Sequence, residues 1–263
     1  MKNVRLAIGL LAIAGAVMVP VATRADDDRG APGSCRDLPS QHALRQALSA
    51  AQGQENGGFG LEMWATVVNR DGVVCAVAFT GGNRGDQWPG SRVISAQKAN
   101  TANAFSLPGL ALSTANLYTA VQPGGSLFGL QESNPVDTSV AYAGPASNFG
   151  QFNDPMVGSR IGGINVFGGG LALYAPGGRL LGGIGVSGDS SCADHNIAWR
   201  VRFALNLDHV PAGVSPDGTR KDNIVYDITP QPGQMPGISA SGWGHPVCSA
   251  LAKTIAAGLP VTH

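Results

Sequence analysis

The chain has 263 residues, of which 17 are Lys or Arg and 17 are Asp or Glu, so its formal net charge is zero and charged residues make up only 13% of it. Such a chain has no basic field to steer nucleic acid and no polybasic run to hold a membrane surface, which excludes both as partners. Its 38 glycines and 17 prolines imply many turns and long ordered loops around one core.

The N-terminus reads as a secretory signal over residues 1–25. Lys2 and Arg5 precede an apolar run from Leu6 to Val19, Thr23-Arg24-Ala25 offers small residues for cleavage after Ala25, and Asp26-Asp27-Asp28 follows. No later stretch is long and apolar enough to span a bilayer, so a periplasmic or secreted mature protein is expected. Four cysteines, Cys35, Cys75, Cys192 and Cys248, lie beyond that signal with no CxxC pair and no zinc-type spacing. In an oxidising compartment they read as two disulfides. Three connectivities are open, with Cys35–Cys75 and Cys192–Cys248 preferred because the second ties a long tail to the core.

Pro39 to Gln52 predicts a first helix, N-capped by Ser40, with Leu44, Ala47, Leu48 and Ala51 at helical spacing and Gly53 as its stop. Trp64–Asn69 and Val73–Phe79 predict two strands around Asn69-Arg70-Asp71-Gly72, a hairpin turn signal. Ser91 to Phe105 reads as a helix, and Ser113 caps a shorter one to Gln122, stopped by Pro123-Gly124-Gly125. Residues 126–159, rich in Pro, Gly, Asn and Ser, read as a long ordered insertion, a type of loop that often carries function.

Gly162 to Ser191, GGINVFGGGLALYAPGGRLLGGIGVSGDSS, writes strand, turn, strand, turn, strand and a glycine-rich exit. The runs Ile164–Phe167, Leu171–Tyr174 and Leu180–Val186 predict an antiparallel meander. An amphipathic helix from about Asp194 to Asp208 follows, with Ile197, Ala198, Val201, Ala204, Leu205 and Asp208 on one stripe and Arg200 and Arg202 turned outward. Residues 211–263 read as an irregular extension on the core, ending in a short helix within Pro246 to Gly258. The order α-β-β-α-α-β-β-β-α predicts an α+β protein, a five-stranded antiparallel sheet with its helices segregated to a face, as in profilin-like and PAS-like folds.

TVVNRDGVVCAVAF, SAQKANTANAFS and the meander with its GxIGVSG and Asp-started helix together resemble the GlcG/HbpS family of haem-binding proteins, over roughly Pro39 to Leu207 without the insertion. The chain departs from the family where Gly162-Gly163-Ile164-Asn165 replaces Gly-Gly-x-Pro and where Asp189-Ser190-Ser191-Cys192 follows Gly188. The resemblance implies binding of haem or a related tetrapyrrole, often by homo-oligomers, in sensing, storage or handling.

A haem site needs an apolar slot, an axial donor and partners for the propionates. The glycine loop supplies Gly185, Ser187, Gly188 and Ser190 at a helix N-terminus, a setting suited to a carboxylate or phosphate. His195, placed at the first helical turn, is the candidate iron ligand; its plain alternative is a solvated residue. Lys98 matches a lysine that the family shows and is either a pocket cation or a snorkelling residue, and Tyr118 is a further ligand candidate. His42, His209, His245 and His263 read as structural or solvated, and a metal site from Asp189, Asp194 and His195 lacks a third convincing ligand.

No catalytic residue is assigned. Gly188-Asp189-Ser190-Ser191 lacks the glycines of a serine-protease nucleophile segment, Gly185-Val186-Ser187-Gly188 lacks the GxSxG frame, and Glu55, Glu62 and Glu132 offer no carboxylate pair. A binding protein for haem or another small anionic ligand therefore outranks a secreted enzyme using the Gly185–His195 turn and a purely structural oligomer.

Overall fold

The computed structural model describes residues 34–263, so the signal-peptide expectation lies outside the described residues. The first helix, α1 (Gln41–Gln52), starts where Ser40 accepts a hydrogen bond from the Ala43 amide and buries Leu44, Leu48 and Ala51. Strands β1 (Trp64–Asn69) and β2 (Val74–Phe79) form the predicted hairpin. Its turn is tied by the Asn69 side chain, which accepts from the amides of Asp71 and Val73, and by Gly72 at φ 75°.

The next helix, α2 (Ser91–Phe105), runs as expected. The segment from Ser113 to Gln122 forms two 3₁₀ turns, Thr114–Leu117 and Thr119–Val121, in place of the expected α-helix, with Ser113 and Asn116 closing a capping box on the first. The insertion contains one short α-helix, α3 (Thr138–Ala141), and a 3₁₀ turn, Ala146–Asn148, and its Ala141 and Met156, with Ile161 just beyond it, pack against α2 and the hairpin.

The main sheet has four antiparallel strands in the order β2-β1-β4-β3, with β3 at Gly170–Ala175 and β4 at Arg179–Ser187. The expected fifth strand, Ile164–Phe167, is not one. Its backbone amides turn to groups outside any ladder: Ile164 to the Asn134 carbonyl, Asn165 to the Thr101 hydroxyl and Val166 to the Gln131 side chain.

The helices are not segregated to one face either. Trp64 and Val68 of β1 point into a cluster with Val93, Ala96 and Ala99 of α2, whereas Ala65 and Val67 face Leu44, Leu48, Ile197 and Val201 from α1 and the helix that follows β4. The sheet is thus the middle of three layers, which is why β1 is buried at every position instead of at alternate ones. Close packing of α2 on β4 explains two glycines of the meander: a Cβ on Gly185 or Gly183 would stand 1.9 Å from the Ser95 carbonyl oxygen or 2.4 Å from that of Ala99.

Helix α4 (Ser191–Ala204) begins three residues earlier than expected, at an N-cap supplied by Ser190. Beyond it lie a hairpin of β5 (Ile228–Gln231) and β6 (Gln234–Ser239), which the irregular pattern of the tail did not announce, and α5 (Ala250–Ala257). Ala252, Ala256 and Leu259 join the cluster around α1 and α4. The disulfides are Cys35–Cys75 and Cys192–Cys248, the pairing preferred above. Among the described residues no helix is long and apolar enough to cross a membrane.

Arg202 corrects the expected outward face of α4. It is fully buried and holds Asp222 through both ends of its guanidinium fork, Nη1–Oδ2 at 2.6 Å and Nη2–Oδ1 at 2.8 Å. Arg200 is half-buried and donates to the Glu55 carbonyl.

Candidate functional site

The glycine loop after β4 is closed by the protein's own charges. The Asp189 carboxylate accepts hydrogen bonds from the amides of Phe59, Leu61 and Ser190, so the anion place expected there is filled from within. Lys98 lies buried beneath the loop and is neutralised, its Nζ 2.7 Å from Asp194 Oδ2 and 3.1 Å from the Val186 carbonyl. Asp194 in turn accepts the Asp189 amide. Gly185 and Ser187 are buried strand residues and Ser190 is a helix cap.

His195 is neither solvated nor in the first turn. Because α4 starts at Ser191, it falls in the second turn and is fully buried, with Nε2 3.1 Å from Asn223 Oδ1 and accepting the Ile224 amide at 3.2 Å. Its Nδ1 is sealed without a partner among the described residues. Tyr118 sits at the edge of the same region, its ring 5.0 Å from that of His245 and 6.3 Å from that of Phe167. Burial raises the pKa of its hydroxyl. His245 is buried, lies 3.2 Å from the Ser191 hydroxyl through Nε2 and bonds the Pro246 carbonyl through Nδ1, so that one imidazole locks the tail to the start of α4.

These buried groups set the pH response. Burial holds His195 down at about 3 and His245 at about 4, from an ordinary value of 6.5, and pushes Asp194 up from 3.8 to about 6 against the pull of Lys98. Between about pH 6.5 and pH 4 the unfolded chain therefore takes up two histidine protons while the folded protein takes up one, at Asp194. One net proton favours unfolding, so stability falls on acidification across that window. Urea unfolding at pH 7.5, 6 and 5 checks this, and a stability that is flat or rising toward pH 5 contradicts it.

A separate cavity opens on the α2 face of the sheet. About 380 Å³ in volume, it lies between the start of β1, the loop before α2, the first turn of α2 and the insertion, lined by Trp64, Pro89, Val93, Ala146 and Phe149 with Asn83, Arg84, Arg92 and Tyr142. Arg92 builds its floor. It makes a two-pronged, fully buried ion pair with Asp154 of the insertion, donates to the Ala141 carbonyl at 2.7 Å and lies 3.7 Å over the Phe149 ring. Asp154 also accepts the amides of Gly150 and Met156, which pins the insertion to α2.

Of two polar groups at this cavity without a partner among the described residues, one is sealed and one is open. Trp64 is buried, and its indole N–H is sealed from solvent with no hydrogen-bond partner among the described residues, a rare state for a buried polar group. Arg84 is exposed and makes no ion pair among the described residues. None of these residues was singled out in the sequence, where Trp64 reads as a strand residue and Arg92 as a helix residue. The one available signal was the insertion itself, flagged as too long and too ordered for a plain connection. A second cavity, of about 250 Å³ beside Asp189, is lined mainly by the polar segment between α1 and β1.

An α+β protein with a three-layer core and a cavity walled by an apolar, arginine-bearing helix face is what fold and site define together. The chain belongs to the HbpS-like family, described as haem-degrading protein HbpS-like, whose family model matches residues 40–201. Among solved structures it is similar to the haem complex of PduOC at 25% identity and a TM-score of 0.45, covering 66% of this chain and 95% of that one. It is also similar to the Klebsiella pneumoniae protein ORFY at 22% identity and a TM-score of 0.40, over 64% and 90% of the two chains. HbpS matches at 18% and 0.39, over 64% and 89%. No curated protein matches the chain.

Proposed function

We propose that the protein is an exported binding protein for haem or a related tetrapyrrole, with a role in sensing, storage or handling, and that the ligand is held in the Trp64–Phe149 cavity. The observation that carries the first part is membership of the HbpS-like family over residues 40–201. Support for the second is a cavity with apolar walls and, at its rim, an arginine with no ion pair among the described residues. Bound haem supplies an iron for redox or gas-ligand chemistry and two propionates for recognition.

In this reading Trp64, Val93 and Phe149 cover the macrocycle, Arg84 meets the propionates, and the Tyr142 hydroxyl is the oxygen donor nearest in kind to a known haem axial ligand. Lys98 and His195 then act as structural groups beneath the glycine loop, and Tyr118 as packing for His245. At about 380 Å³ the cavity is near the small end of the roughly 300–1,000 Å³ that ligand sites span, so a macrocycle here is only partly enclosed. The exposed aromatics Trp88 and Phe152, which flank the lining residues in sequence, suit cover by a second copy in a homo-oligomer. The domain reading that goes with this is a ligand domain over 26–210 with its insertion at 126–159 and an extension over 211–263.

Export rests on the N-terminal signal pattern and accords with two disulfides. Titration of the purified, oxidised protein with haemin is expected to produce a saturable Soret shift with about one haem per chain, an apolar ligand site being typically single. A titration with no saturable shift overturns the haem reading and leaves an enzyme or a structural oligomer in its place.

A further inference from the structure

We infer that Asp208, His209 and His263 form a binding site for a borderline divalent transition-metal ion of the zinc class, at the far end of α4 from the glycine loop. Asn206 ends α4 in the left-handed region at φ 54°, and the chain then turns back along β3, where the Leu207 carbonyl accepts the Tyr174 amide and His209 donates to the Tyr174 carbonyl. This backbone pairing fixes Asp208, which is 1% exposed. One carboxylate oxygen is 2.8 Å from Nδ1 of His263. The other, Oδ2, is buried with no hydrogen-bond partner among the described residues.

An orphaned carboxylate oxygen is costly in a protein interior, and a bound cation is one of the few things that satisfies it. The rest of a ligand set stands beside the same carboxylate. One donor atom each from Asp208, His209 and His263 lies within 4.8 Å of the others. Nε2 of His209 is 3.1 Å from Asn206 Oδ1, an outer partner of the type that orients a ligating imidazole and leaves its other nitrogen for a metal. His263 is held between Phe203, at a ring distance of 5.5 Å, and His209, at 5.0 Å.

Zinc takes imidazole nitrogen and carboxylate oxygen at about 2.0–2.2 Å, which brings donors to about 3.3 Å from one another. His209 and His263 are partly exposed, so small rotations of these two side chains close that distance while Asp208 stays fixed. Two neutral imidazoles, one carboxylate and no thiolate suit a borderline divalent ion rather than copper(I) or calcium. Because His263 lies 54 positions beyond His209, the ion clips the tail to the end of α4. The Cys192–Cys248 bridge does the same at the other end of the helix.

The test is a zinc titration of chelator-treated, oxidised protein by calorimetry, with thermal unfolding in parallel. One saturable equivalent per chain and a Tm raised by several degrees are expected. His209→Ala, a change at a half-exposed side chain, is expected to weaken zinc at least tenfold and to abolish the Tm rise while the far-ultraviolet circular dichroism stays that of the parent. His42→Ala, at an exposed histidine on α1, is expected to change neither. Absence of saturable uptake by the parent, or uptake that His209→Ala and His263→Ala leave unchanged, overturns the site.

Discussion

Asp222→Asn is expected to destabilise the protein by about 3–5 kcal/mol, because it leaves the buried Arg202 guanidinium without its counter-charge. Both partners are fully buried, and the fork-to-carboxylate geometry satisfies two donors at once. Arg202 also donates to the Ala172 carbonyl of β3 and lies 4.6 Å over the Trp199 ring, so one side chain links α4, the sheet and the tail. Amide for carboxylate preserves the shape and removes the charge. Chemical denaturation with the slope monitored checks the prediction, and a loss below about 1 kcal/mol, the range of exposed pairs, contradicts it. Changing both partners to apolar residues of similar size is expected to recover much of the loss, since the cost lies in the unpaired charge.

Opening the Cys192–Cys248 bridge by the paired substitution Cys192→Ala and Cys248→Ala is expected to cost about 4 kcal/mol on the chain-entropy account, given a loop of this length. The two cysteines are 56 residues apart in sequence, and the loop they close includes Asp222 and the β5–β6 hairpin. His245 stands beside the bridge and bonds Ser191, so the same change is expected to expose this imidazole and move its titration back toward 6.5. Proton NMR of the His245 ring against pH, alongside denaturation, measures both effects. Unchanged stability together with an unmoved His245 contradicts the assigned role of the bridge.

Local chemistry made much of the fold legible. Ser40 and Gly53 bound α1, Asp71-Gly72 turns the first hairpin, and Pro176-Gly177-Gly178 turns the second, because in each case the signal and the structure lie within a few residues. Burial on both faces hid the rest. Periodicity assigned Arg202 to the outside of α4 because no local pattern reports an Asp222 arriving 20 positions later. It read Ile164–Phe167 as a strand because apolar content does not reveal that its amides bond to Thr101 and Asn134. Ser190 as N-cap was visible in the sequence but was read as a ligand group, and that displaced His195 by a turn.

The site shows the same division. Of the GGIGVSG run, Gly183 and Gly185 are required by contact with α2, a contact between segments some 90 residues apart, and Gly182 and Gly188 by the backbone of β1 and of the residues before it. Charges that looked available, Lys98 and Asp189, meet partners supplied by other elements. The cavity is assembled from four separate stretches, with Arg92 and Asp154 joined across 62 positions, and no single stretch carries its signature.

The most direct test of the central claim, that haem is held in the Trp64–Phe149 cavity and not at the glycine loop, is a parallel haemin titration of Arg84→Glu, Tyr142→Phe and His195→Ala. Arg84→Glu is expected to weaken haemin at least tenfold and Tyr142→Phe to shift the Soret maximum, while His195→Ala, once confirmed as folded, titrates like the parent. A Soret band lost in His195→Ala and unchanged in both cavity variants contradicts the account and returns the ligand to the loop after β4.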